Sequence, residues 1–163
     1  MYVVILGLVI GCNGGPSASP SPTASLPPPP VGYSATCVGQ SANLDLARGQ
    51  TGTFQVFCTN TGTTAWTAGT ATEASLAGCC PAGANATFLT WGIPPLPSPS
   101  TPCNRYAVQS QSSVPPGAIG SFAFSVTVPV GTAAGTYTSD AVLVKAGCAP
   151  ISTQVLTFTI RVP

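Results

Sequence analysis

The stretch GTFQVFCTNTG, residues 52–62, decides the fold. Phe54, Val56 and Cys58 alternate with Gln55, Phe57 and Thr59, a period of two that puts the first three on one face of an extended strand. Asn60 and Gly62 then turn the chain, since both tolerate positive φ. The alternation recurs in SFAFSVTVP (121–129), where Phe122, Phe124, Val126 and Val128 oppose Ala123, Ser125 and Thr127. It recurs again in VLTFTIRV (155–162), which sets Leu156, Phe158, Ile160 and Val162 on one face. NATFLTWGI (85–93) and GTYTSDAVLV (135–144) are further strand candidates, and RGQTG, PPGAIG and PVGTAAG are turn signals. No window carries the period of an amphipathic helix. About seven short strands predict an all-β fold, a two-sheet antiparallel sandwich.

Charge excludes several function classes. Only 4% of residues are charged: Asp45, Glu73 and Asp140 against Arg48, Arg105, Lys145 and Arg161, a net charge of +1. Phosphate backbones are bound by clustered Lys and Arg, so nucleic acid is not an expected partner. Disorder needs few apolar residues, whereas 44% are hydrophobic here. The one unbroken apolar run, YVVILGLVIG (2–11), is shorter than the roughly 20 residues a membrane-spanning helix needs.

Seven cysteines and no histidine fix the compartment and limit the chemistry. Cys37, Cys58, Cys79, Cys80, Cys103 and Cys148 all follow the proline tract and lack the close CxxC-type pairs of zinc sites. Disulfides in an oxidising, extracytoplasmic setting are therefore expected. Adjacent Cys79 and Cys80 need separate partners, because neighbouring side chains in a strand point apart. The ends of the second and sixth strands of a sandwich lie close, which makes Cys58 with Cys148 a candidate pair. Cys103 with Cys79 or Cys80 would staple the segment between them.

The chain divides into three parts. Residues 1–11 resemble the apolar core of an export signal. Residues 12–30 are a Pro/Ser-rich spacer that cannot bury a core, and residues 31–163 form the domain. Val9-Ile10-Gly11-Cys12 resembles the lipobox of bacterial lipoproteins, which implies cleavage before Cys12 and a diacylglyceryl anchor on its sulfur. That use of Cys12 leaves six cysteines to pair. MYVVILG lacks the positive charge with which export signals begin; a retained apolar tail with an unlipidated Cys12 is the alternative.

Three phrases, TNTGTTAW (59–66), VPPGAIGSFAFSVTVP (114–129) and GTYTSDAVL (135–143), together resemble the Ig-like "four-tryptophan" domain. That domain is the central module of selective-autophagy cargo receptors and also occurs in bacterial exported proteins. The matching residues are Asn60, Gly62, Trp66, Pro116, Gly117, Pro129, Gly135 and Tyr137, over roughly residues 45–163. The resemblance implies an Ig-like sandwich, with Trp66 as a core plug and Tyr137 as a tyrosine corner. The chain departs from the pattern in having two tryptophans, Ala141 where the family often has Trp, and a cysteine-containing insertion at 76–104. The fold is carried over and the autophagy role is not.

No catalytic set assembles. No histidine is present to serve as base for Ser or Cys, and three scattered acids read as solvated surface groups. No acidic calcium loop appears, so neither metal nor cofactor is expected. Trp91 and Tyr106 are the candidate aromatic platform for a sugar or peptide; the competing interpretation packs Trp91 with Leu89 in the core. Asn85-Ala86-Thr87 is a glycosylation sequon to which little weight attaches in a bacterial chain. The expected function is a non-catalytic, lipid-anchored cell-surface or periplasmic module. It would be held to the membrane by its anchor and bind a protein or glycan, or serve a structural role. A filament or surface-layer subunit assembled by strand addition, and a carbohydrate-binding accessory module, are the alternatives.

Overall fold

The computed structural model describes residues 26–78, 85–93 and 104–163. Strands dominate, and no α-helix occurs among the described residues. The strands are β1 (Ala35–Gln40), β2 (Leu44–Asp45), β3 (Thr51–Asn60), β4 (Trp66–Thr67) and β5 (Ala74–Ala77), then β6 (Arg105–Val108), β7 (Ser113–Val114), β8 (Ile119–Thr127), β9 (Gly135–Lys145) and β10 (Ala149–Val162). They form a three-stranded sheet ordered β1-β3-β8, a five-stranded sheet ordered β2-β10-β9-β5-β6, and a β4-β7 ribbon. Pairing is antiparallel except between β2 and β10. Between Gln40 and Leu44 the chain leaves one sheet for the other, since β1 pairs with β3 and β2 with β10.

The two large sheets share one core. Phe54 and Phe124 come from β3 and β8, Tyr106 and Phe158 from β6 and β10. Their ring centroids lie 5.0 Å apart for Phe54–Phe158, 5.0 Å for Phe124–Phe158 and 4.9 Å for Tyr106–Phe124. Burying each such ring contributes about 1.5–3 kcal/mol, and the edge and stacking geometry adds about 0.5–1.5 kcal/mol per pair. The expected inward sets, Phe54/Val56/Cys58, Phe122/Phe124/Val126/Val128 and Leu156/Phe158/Ile160/Val162, are all buried.

Glutamines meet both flanks of the three-stranded sheet, Gln154 through its side chain and Gln109 through a main-chain bridge. The β10 ladder shifts register between Pro150 and Val155. There the Gln154 carboxamide accepts the Cys37 N–H (2.6 Å) and donates to the Cys37 carbonyl (3.3 Å). On the β8 flank, Gln109 bridges Phe122, accepts from the Ala74 N–H and donates to the Trp66 carbonyl.

Four expectations are corrected. NATFLTWGI is not a strand: Thr87–Trp91 is a 3-10 turn. Asn85 Oδ1 accepts both the Thr87 N–H (3.0 Å) and its hydroxyl (2.6 Å), winding the chain at its start. In that geometry residues three apart share a side, so Phe88 and Trp91 are buried together. Cys58 is bonded to Cys37, its direct cross-strand partner, and not to Cys148. Cys148 is itself in a disulfide, while Cys79, Cys80, Cys103 and Cys12 lie outside the described residues. Glu73 is not a solvated group. It is buried and pairs with Arg105 Nη1 at 2.6 Å, while its other oxygen accepts the Gly69 N–H at 2.6 Å. Finally, neither Asn60 nor Gly62 takes a positive φ; a Cβ on Gly62 would stand 2.5 Å from the Gly32 carbonyl oxygen and 2.8 Å from the Ser34 nitrogen, so close backbone approach is what requires glycine there.

Candidate functional site

The outer face of the three-stranded sheet is the candidate recognition surface. The 25 residues of its three strands, 6 in β1, 10 in β3 and 9 in β8, include no Asp, Glu, Lys or Arg on either face. All seven charged residues lie on the five-stranded sheet or on turns and loops: Asp45 on β2, Arg105 on β6, Asp140 and Lys145 on β9, Arg161 on β10, Arg48 and Glu73 between strands. The outer face is lined instead by hydroxyls, an amide and a few apolar groups. Thr51 pairs with Thr127 across the strands at 2.8 Å and Thr53 with Ser125 at 2.9 Å. Val38, Phe57 and Ile119 are the large hydrophobics exposed there, with Phe57 40% accessible.

Phe57 borders a shallow groove of about 130 Å³ lined with Gln55, Ser110, Ser121, Phe122 and Ala123. The strand register puts Phe57 opposite Ser121 and Gln55 opposite Ala123. Gly39 faces Phe57 from β1 and offers no side chain; an added Cβ would stand 3.8 Å from Cδ2 of the ring. Gln111 orients the far wall. Its carbonyl oxygen accepts the Ser121 N–H (3.0 Å), and its amide nitrogen donates to Ser121 Oγ (3.0 Å). With that lone pair occupied, the Ser121 hydroxyl keeps its proton for a partner in the groove. The Gln55 main chain is held by Ser41, whose Oγ accepts the Gln55 N–H at 2.7 Å, and its carboxamide is exposed.

The aromatic pair singled out from the sequence is not a platform. Trp91 is 9% exposed and Tyr106 2%, in different parts of the core. Trp91 packs on Phe88 (5.1 Å) and Tyr137 (5.2 Å), not beside Leu89 on a strand. The Tyr106 ring stacks on Phe124, and its hydroxyl meets Ser139 Oγ at 2.6 Å. The acids are dispersed: Asp45 is exposed, Glu73 is in its ion pair, and Asp140 accepts from the Thr157 hydroxyl (2.7 Å) and the Asn85 N–H (3.3 Å). No cluster of His, Cys, Asp and Glu able to hold a metal occurs among the described residues. Asn85 is exposed, with its amide nitrogen engaged by Thr138 Oγ1. Cys12 lies outside the described residues, and no described helix is long and apolar enough to cross a membrane. The groove is a feature the sequence reading did not single out, although Phe57 is a large aromatic on the polar side of its strand's alternation.

Fold and site define a nearly all-β domain with a cross-strand disulfide and one uncharged sheet face. No family model matches the chain, and no curated protein matches it. Among solved structures it is similar to a family 123 glycoside hydrolase from Clostridium perfringens, at 12% identity and a TM-score of 0.35, covering 75% of this chain and 23% of that one. This chain thus spans less than a quarter of that enzyme's length.

Proposed function

We propose that the chain is a non-catalytic, Ig-like binding domain displayed outside the cytoplasm on a Cys12 lipid anchor and a proline-rich tether. The observation that carries the binding role is the segregation of charge, which leaves one whole sheet face neutral and partly apolar. Soluble domains keep such faces small or charged unless something docks on them.

Several local features support the Ig-like, four-tryptophan resemblance. The first strand divides between sheets, with its second half parallel to the last strand. Asn60 is fully buried; its amide nitrogen donates to the Thr64 and Val114 carbonyls (2.9 Å each), and its oxygen accepts the Gly62 N–H (3.1 Å). Trp66 is fully buried against Phe122. The Tyr137 hydroxyl donates to the Ala133 carbonyl at 3.0 Å, as a tyrosine corner does. A structural role by strand addition is the second reading. The exposed Val38, Phe57 and Ile119 favour self-association, but the Gln154 carboxamide occupies the β1 edge at Cys37, where an added strand would pair.

Mass spectrometry of the mature N-terminus, with membrane fractionation of wild type and Cys12→Ser, tests the display. The expected result is a lipid-modified Cys12 as first residue and release of the variant from membranes. A mature chain starting at Met1 with an unmodified Cys12 refutes it.

A further inference from the structure

We infer that the Phe57 groove is a subsite for one residue of a neutral polysaccharide. The inference deepens the binding role proposed above and rests on it. Each wall supplies a feature that suits an uncharged, hydroxyl-rich ring. The Phe57 ring face carries the negative side of its quadrupole and attracts the C–H-bearing face of a sugar. The Gln55 carboxamide brings two donors and an acceptor, and Ser110 and Ser121 bring hydroxyls. Gln111 takes up one lone pair of Ser121 Oγ, so that hydroxyl is a preset donor.

Other occupants fit less well. An anionic partner, whether nucleic acid, acidic glycan or lipid headgroup, finds no cation on any of the three strands. A purely apolar partner would strip water from the Gln55 carboxamide and the Ser121 hydroxyl without replacing it, at about 1–3 kcal/mol for each group left unpaired. A second copy meets an area limit. Three strands about 4.8 Å apart, 6, 10 and 9 residues long at about 3.4 Å each, give a face of about 270–410 Å². A stable interface needs about 800 Å² per partner. A polysaccharide is narrow and carries its own hydroxyls. The groove volume of about 130 Å³ is well below the roughly 300 Å³ of an enclosing pocket, which suits one unit of a chain that continues across the sheet.

Native gel electrophoresis through gels containing mannan, laminarin, hydroxyethylcellulose or amylopectin, with alginate as the anionic control, tests this on the folded full chain. At least one neutral polymer is expected to retard the protein, alginate is not, and added salt leaves the retardation unchanged. Phe57→Ala should weaken retardation about tenfold, the loss typical of an aromatic anchor, with an unchanged melting temperature. Gln55→Ala should weaken it less. The inference is overturned if no neutral polymer retards the folded wild type, or if Phe57→Ala is retarded equally. Sedimentation of the same proteins separates the two failures. Concentration-dependent dimerisation lost in Phe57→Ala, without retardation, overturns the glycan subsite and leaves a binding face. A monomer with neither behaviour overturns both.

Discussion

Trp66 and Gly120 provide the sharpest test of the packing. Trp66 is fully buried, and its indole N–H has no hydrogen-bond partner among the described residues. The ring is held by shape alone. Truncating it to alanine removes the ring and leaves a cavity, at about 3–5 kcal/mol. The ring fits because β8 carries Gly120 beneath it: a Cβ there would stand 3.0 Å from Trp66 Cζ3, 3.3 Å from Cε3 and 3.3 Å from Val114 Cγ2. Gly120→Ala therefore overpacks the site and should cost about 1–3 kcal/mol in the wild type. In the Trp66→Ala background both ring contacts are gone and only Val114 Cγ2 stays close to the added methyl. There it should be neutral or stabilising by up to about 1 kcal/mol, because alanine also has less backbone entropy to lose. The two changes should couple by about 1–3 kcal/mol, well outside the additivity of about 0.5 kcal/mol seen for independent sites. Urea unfolding of the four proteins, followed by circular dichroism, measures the cycle. Equal costs for Gly120→Ala in both backgrounds would refute direct packing of the ring on this glycine.

Cys37→Ser/Cys58→Ser opens a loop of sequence separation 21, and the chain-entropy relation puts the loss at about 3 kcal/mol; a melting temperature unmoved in the double variant would contradict it. Glu73→Ala leaves the Arg105 guanidinium buried without its carboxylate and should cost about 3–5 kcal/mol in urea unfolding, against less than 1 kcal/mol for a surface pair. Gln154→Ala frees the Cys37 N–H and carbonyl on the β1 edge; about 1–2 kcal/mol of lost stability and concentration-dependent association in sedimentation are expected, and a monomer of unchanged stability would count against the clasp.

What the sequence made legible follows from periodicity. Wherever polar and apolar residues alternated, as at Phe54/Val56/Cys58 or Phe158/Ile160/Val162, the inward set was correct, because burying one face and wetting the other is a local property. The failures came where another force overrode that pattern. Thr87–Trp91 has strand-favouring residues, but the Asn85 side chain captures the Thr87 N–H and hydroxyl and winds a turn. Glu73 gave no sign of burial, because its partner Arg105 lies 32 residues away in sequence. The Cys37–Cys58 bridge needs the β1–β3 register, which a cysteine count does not contain. Trp91 and Tyr106 attracted attention as aromatics, yet both are buried in the core. Phe57 was the better candidate, since an aromatic on the wet side of an alternation gains little for folding.

The glutamines explain how so uncharged a sheet remains discrete. An open strand edge presents unpaired N–H and C=O groups, and proteins commonly guard it with lysine or another inward-pointing charge. The three-stranded sheet has no charge to spend there. A carboxamide offers the same donor and acceptor as a peptide group, so it can occupy an edge position as a one-residue strand without bringing charge to the face. Gln154 does this at Cys37 on the β1 side. Gln111 does it at Ser121 on the β8 side, where its oxygen takes the main-chain N–H and its nitrogen reaches the hydroxyl. The β1 edge is thereby engaged at Cys37, and on the β8 edge Gln111 extends the Gln109–Phe122 bridge, by groups that leave the outer surface neutral. A lysine at either place would guard the edge equally well, but it would put a hydrated cation beside Phe57 or Val38 and end the neutrality on which the proposed recognition depends. Edge protection and ligand chemistry thus place the same demand on these positions, and an amide meets both.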